Sequence, residues 1–215
     1  MKLLDLIVSA HSGNALNNLS SQFNVSEADI SVIARTIIPV LSEGFSQNSL
    51  TKEGLTELLR ALGTNRYQRY YLDAKIFSNA HVKYDGIAIL NHAIPSSDVR
   101  HKLQVEIMEK TSLRPQVIEE ILPLIASLAM GALDQVLRVQ LRALLRVVQH
   151  ATMADDQMQN PFRATVDLLD GLESKKDCER PGERAASSHS KQNLTDRLSS
   201  ILFWPPAKNA PAAQM

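Results

Sequence analysis

An all-α, multi-helix bundle is the fold class that this 215-residue sequence predicts. Two observations carry the prediction. Apolar residues recur at helical spacing almost everywhere from Leu3 to His150, and no stretch alternates with the two-residue period of a strand. Capping residues and stop signals punctuate that periodicity at intervals of a helix length. The composition, 44% hydrophobic and 21% charged, fits a globular domain.

The elements follow in order. Leu3, Leu4, Ile7 and Val8 form a short apolar face that Gly13 punctuates, and Leu16, Leu19 and Phe23 continue a second helix. Ser26 stands three residues before Asp29, where its hydroxyl can accept a backbone N–H and the carboxylate favours the positive helix start. The stripe Ile30, Ile33, Ile37, Ile38, Leu41 then predicts a helix ending near Gly44, with Pro39 kinking or breaking it. Thr51 caps a helix through Leu62, and Gly63 stops it. Residues 64–84 lose the period and read as a long connection, a common place for function. Asp85 opens a helix to Ile94, which Pro95 ends. Ser96 or Ser97 caps the next, and Pro115 fits the first turn of a long helix reaching about His150, with a kink at Pro123 and a soft point at Gly131.

Shifting the chain by 88 residues lays Leu19 on Ile107, Val25 on Leu113, Ile30 on Ile118, Ile33 on Ile121 and Ile37 on Ile125. Pro39 and Pro123 miss that register by four residues, so the match is either a chance coincidence of apolar stripes or a repeat of two similar helical hairpins. The bundle occupies residues 1–150. Residues 151–215 read as a polar linker and tail with short amphipathic helices. Within them, 160–174 suits one short helix, 175–193 is too polar to bury a core, and Leu194–Trp204 returns apolar groups.

Charge excludes little but argues against a dedicated nucleic-acid binder. Basic and acidic residues number 23 each, and neither side of residue 150 is biased. The single cysteine, Cys178, closes no intrachain disulfide and fits a reducing cytoplasm. No run of about 18 apolar residues predicts a membrane span. The histidines lack ligand spacing, and phosphate-loop and nucleophile-elbow motifs are absent, so no metal, cofactor or catalytic residue is assigned.

Four stretches compete for function. In "YDGIAILNHA", Asp85 and His92 lie seven residues apart, as half of an acid–base site or as a helix cap and a polar histidine. At about 1.5 Å per residue they are ~10 Å apart on one straight helix, so the pair needs a third group, with Tyr70 or Asp73 as candidates. "RYQRYY" offers Arg66 and Arg69 among tyrosines, either for nucleic acid or as a loop pinned by its rings. Arg138, Arg142 and Arg146 form a stripe that covers a core or meets a partner. Phe203 and Trp204 in "ILFWPP" form a docking motif or fold back.

Three stretches together resemble the bacterial YidB-like family, whose function is unknown. They are "QRYYLDA" (Gln68–Ala74), "DGIAILNHAI" (Asp85–Ile94) and "LPLIASLAMGAL" (Leu122–Leu133). The resemblance runs from about residue 2 to 137 and implies an all-α bundle without implying an activity. It marks Tyr70, Leu72, Asp73, Asp85, Gly86, His92, Pro123 and Gly131 as family features. The chain departs from the pattern with an extra tyrosine in "RYYLDA" and with Ala74 where a second acidic residue is common. An Arg/Leu helix and polar linker also replace a Gly/Asp-rich tail. The functional expectation is a non-enzymatic interaction or scaffold protein. The alternatives are an enzyme centred on Asp85 and His92, and a weak nucleic-acid binder.

Overall fold

A computed structural model describes residues 3–148 and 160–178. Among the described residues there are nine α-helices, one 3-10 helix and no strand. The order is α1 (Leu3–Gly13), α2 (Ala15–Phe23), α3 (Glu27–Asn48), α4 (Lys52–Leu62) and α5 (Tyr67–Leu72). The 3-10 helix Ala74–Ser78 follows, then α6 (Ala80–Ala93), α7 (Ser97–Thr111), α8 (Pro115–Val148) and α9 (Pro161–Cys178). The fold is the all-α bundle that the periodicity predicts.

The expected caps form. Ser26 Oγ accepts from Asp29 N, Thr51 Oγ1 from Gly54 N, and Ser96 Oγ from Val99 N. Three expectations need correction. First, α3 continues past Gly44 to Asn48. A Cβ at residue 44 would lie 2.0 Å from the Ala93 carbonyl oxygen, so Gly44 permits a close crossing with α6 and does not stop its helix. Second, Pro39 does not break its helix: α3 is continuous through it, as α8 is through Pro123. The carbonyls that lose a partner belong to Arg35 and Glu119, both exposed residues, where water can replace the bond. Third, the connection 64–84 is largely structured. Asp73 Oδ1 accepts from Lys75 N at the head of the 3-10 helix, and Asn79 Oδ1 from His81 N at the head of α6.

The central element is α8. It packs most heavily against α6 and α5 and also touches α1, α3, α7 and α9. Ile118, Ile121, Ile125, Ala126, Leu128, Ala129 and Ala132 are fully buried along it. Its segment Pro115–Arg146 is long and apolar enough to cross a membrane, contrary to the count of apolar residues in a row. Of its most apolar window, 72% is buried within the bundle, as in the core helix of a globular protein.

The 88-residue shift has a structural counterpart. Asn24 (φ 51°) and Ser112 (φ 56°) are left-handed C-caps 88 positions apart, and α3 and α8 start 88 apart at Glu27 and Pro115. The paired residues Leu19 and Ile107, Ile30 and Ile118, Ile33 and Ile121, and Ile37 and Ile125 are all buried. Two helix–turn–helix units thus present the same apolar register to one core.

The packed body extends beyond residue 150. Helix α9 lies on α4 and α8, Phe162 is fully buried, and Asn160 Nδ2 donates to the Gly63 carbonyl at 2.8 Å. The helix reaches Cys178, into the polar stretch expected to lack structure. The remaining tail, with Phe203 and Trp204, lies outside the described residues.

Candidate functional site

Helix α6 is capped by Asn79, six residues before Asp85. Asp85 is therefore an interior residue of α6 and not its N-cap. Its carboxylate instead reaches the short helix α5. The Tyr70 hydroxyl donates to Asp85 Oδ2 at 2.6 Å, and Arg66 Nη1 lies 3.5 Å from Oδ1. The Tyr67 ring meets the Tyr70 ring edge-on, with centroids 5.6 Å apart.

The neighbouring family residues complete this junction. A Cβ at Gly86 would lie 2.0 Å from the Pro123 carbonyl oxygen, so α6 crosses α8 there in backbone contact. At Gly131 it would lie 2.7 Å from the Tyr67 carbonyl oxygen and 3.0 Å from Tyr71 N, so α5 also lies close on α8. Between these crossings the buried Ser127 hydroxyl donates to the Val82 carbonyl at 2.7 Å. The three family stretches thus fold onto one another. Their glycines and proline set the helix spacing, and the Tyr70–Asp85 bond fixes α5 to α6.

Chemically, this junction is a latch. The Tyr70 hydroxyl is pushed well above its ordinary value, first by burial and then by its bond to Asp85. A phenol held so firmly protonated, with its proton committed to a carboxylate, is a poor acid or base near neutrality. His92 does not join it. It is exposed, a further two turns along α6. Asp73 is exposed and caps the 3-10 helix, and Leu72 is 61% exposed. Of the two candidate third groups, Tyr70 does reach Asp85, but the bond leads away from His92, and Asp73 is turned to the 3-10 helix.

The arginines divide. Arg66 and Arg69 are exposed on α5. Arg138 is buried, with Nε 2.9 Å from Asp134 Oδ1 and Nη2 3.1 Å from Oδ2. Its Nη2 also donates to Asn65 Oδ1, and its guanidinium lies 4.9 Å from the Phe162 ring centroid. It therefore anchors α9 and leaves the exposed stripe to Arg146, with Arg142 half-buried. Burial pushes the Asp134 carboxyl up, opposed by Arg138. Among the described residues no three His, Cys, Asp or Glu side chains gather as metal ligands.

Sequence reasoning missed His11. The chain leaves α1 through His11, Ser12 and Gly13, all at positive φ (52°, 59° and 87°), which turns the imidazole inward. Nε2 lies 3.0 Å from the Tyr70 carbonyl and Nδ1 3.3 Å from Asn18 Nδ2, with the Phe77 ring 4.8 Å away. A carbonyl only accepts, so Nε2 carries the proton, Nδ1 accepts, and the ring is neutral. Burial lowers its pKa, against the Tyr70 carbonyl and Asp73. The only local signal was a His-Ser-Gly-Asn run at a helix end.

An apolar groove opens beside the junction, with a volume of about 320 Å³. Phe45, Leu58, Ala61, Tyr67, Ile89 and Met130 line it, and Asn48, Glu57 and His92 stand at its polar positions. Asn48 Nδ2 donates to the His92 carbonyl at 3.0 Å, tying α3 to the end of α6.

With this geometry in view, the family can be stated. The model of a family of bacterial proteins of unknown function (DUF937) matches residues 5–135, more than half of the chain. The chain belongs to this family. YidB is a member, so the resemblance read from the three stretches is to the same family. No curated protein and no solved structure matches the chain significantly. The DUF937 match ends before Arg138, so α9 and the arginines that follow are additions to the matched region.

Proposed function

We propose that this DUF937 protein is a non-enzymatic interaction module whose receptor surface is the groove between α3, α4 and α6. Its occupant is an amphipathic helical segment of a protein partner. One observation carries the reading. Ala88, Ile89, His92 and Met130 belong to the family stretches and Tyr67 adjoins one, and all five line the groove. The junction beneath them is occupied in holding helices together, while the groove is an accessible surface to which those stretches contribute. Apolar walls with a few polar groups suit a helix presenting residues at i, i+3, i+4 and i+7. Glu57 on the rim favours a partner with a Lys or Arg beside its apolar face. A cytoplasmic location suits such a module with a single cysteine.

The test uses the full chain and the apolar fluorophore bis-ANS, with Ala61→Arg and Ala88→Arg placed at the groove mouth. The reading expects probe binding to fall in both variants while helical content is retained. A photo-crosslinking residue at position 88 should also capture one discrete partner, and Ala61→Arg should abolish that adduct. Probe binding that is unaffected by either arginine, also in a chain whose tail carries Leu198→Asp and Trp204→Ala, would refute the groove.

A further inference from the structure

The chain itself encodes a segment of the required chemistry. Leu194, Leu198, Ile201 and Leu202 stand at i, i+4, i+7 and i+8, the spacing of one helical face. Arg197 falls at the edge of that face, Asp196 falls opposite, and Pro205-Pro206 stop the pattern. The groove offers the complement, with apolar walls and Glu57 at its rim; Glu53 lies one turn earlier on α4.

The tether permits the encounter. Fifteen residues, 179–193, separate the end of α9 from Leu194. Extended, they reach ~50 Å at about 3.3 Å per residue. A body of this size has a radius of gyration of roughly 16 Å, so the reach covers any face of it. Helix α9 packs on α4, which also walls the groove. A tether of this length gives an effective concentration of the order of 1 mM, so a segment with an intrinsic Kd of about 100 µM is about ten-to-one docked.

We infer that the groove is occupied in cis by the chain's own segment Leu194–Trp204, which a partner must displace. This rests on the groove being a helix-binding surface. Self-occupancy makes the tail an internal competitor. It divides the apparent affinity of every partner by about eleven, the reciprocal of the undocked fraction at ten-to-one docking.

Trp204 is the sole tryptophan, so the full-length protein reports its own docking. Its emission should be blue-shifted, and its acrylamide quenching constant at least roughly threefold lower than in Ala88→Arg, with about tenfold the ceiling for a fully shielded ring in a segment ten-to-one docked. Glu57→Lys should raise quenching, and combining it with Arg197→Glu should restore shielding. Shielding should not change with protein concentration. Quenching as high in the wild type as in Ala88→Arg overturns the inference. Shielding that appears only as sedimentation detects dimers overturns it in favour of a second copy. Bis-ANS separates the two levels of the argument. If the tail occupies the groove, Trp204→Ala with Leu198→Asp raises probe binding. If the groove exists but is empty, probe binding in the wild type equals that variant and only the cis inference fails. If no probe binds either, the groove reading fails as well.

Discussion

Gly86→Ala sets helix propensity against packing, and the two predict opposite signs. In an exposed helix interior, replacing glycine by alanine stabilises by about 1 kcal/mol. Gly86 is buried against α8, and the new Cβ would lie 2.0 Å from the Pro123 carbonyl oxygen and 2.8 Å from its Cα. The nearest tolerable carbon–oxygen contact is about 3.3 Å, so α6 and α8 must part by about 1.3 Å. Parting them stretches the Ser127–Val82 hydrogen bond from 2.7 Å to beyond bonding range. Gaps of that order also forfeit a quarter to a half of the dispersion energy across the interface. Overpacking costs about 1–3 kcal/mol and the lost buried bond about 1 kcal/mol, against the ~1 kcal/mol propensity gain. The net expectation is a loss of about 2 kcal/mol, or roughly 4–8 °C in Tm. Thermal and urea unfolding followed by circular dichroism measure it. Ala88→Gly, exposed on the same helix, is the control and should cost about 1 kcal/mol. An unchanged or higher Tm for Gly86→Ala would refute the claim that backbone contact at Pro123 sets the α6–α8 spacing.

Three further outcomes follow from the site. Tyr70→Phe and Asp85→Ala should each destabilise, and a double-mutant cycle should return a coupling of about 1–2 kcal/mol, reduced from a fully buried charged bond by the 18% exposure of Asp85. A coupling near zero would remove the latch. His11 is neutral in the fold and its pKa is lowered, so the unfolded chain takes up its proton first. Its contribution is therefore full above about pH 6.5 and is lost as pH falls toward the folded-state value. Urea midpoints should fall from pH 7.5 to pH 5, and His11→Gln should flatten that slope. A slope unchanged by the substitution would exonerate His11. Arg138→Met leaves Asp134 buried without its bidentate partner, so a loss of about 3–5 kcal/mol is expected. Asp134→Leu combined with Arg138→Met should recover most of it, as measured by urea unfolding.

How much of this was legible in the sequence depends on the range of each interaction. Ser26, Thr51 and Ser96 bond to N–H groups three residues away, and all three caps could be read directly. The buried residues of α3 and α8 repeat at helical spacing, so those helices and the 88-residue correspondence were also visible. The errors came where one local rule obscured another. Asp85 and Asn79 are both good capping residues, and Gly86 after Asp85 suggested a helix start. Val82 carries the same buried stripe as Ile89, Leu90 and Ala93, and would have moved the start back to Asn79. Pro39 left a break open because the exposure of Arg35, which makes a continuous helix tolerable there, is a tertiary fact.

Function was harder to read because the relevant contacts are not local. Tyr70 is fifteen residues from Asp85, and Gly131 faces residues sixty or more positions earlier. The groove draws on α3, α4, α5, α6 and α8. No spacing rule connects such residues. What the sequence did carry was the grouping of unusual residues into three stretches, which marked them as belonging to one arrangement without saying what it does. The structure divides those stretches by depth. Gly86, Pro123, Gly131 and the Tyr70–Asp85 pair lie at the helix crossings, where substitution should appear as lost stability. Ala88 and His92 border the groove as exposed residues, where substitution should appear as lost binding with stability intact, whereas the buried Tyr67 serves both. His92, which no hydrogen bond of its ring explains and no catalytic partner claims, is thereby assigned to the groove mouth. His92→Ala should leave the unfolding midpoint within about 0.5 kcal/mol of wild type, as for an ordinary surface substitution, while weakening whatever segment the groove holds.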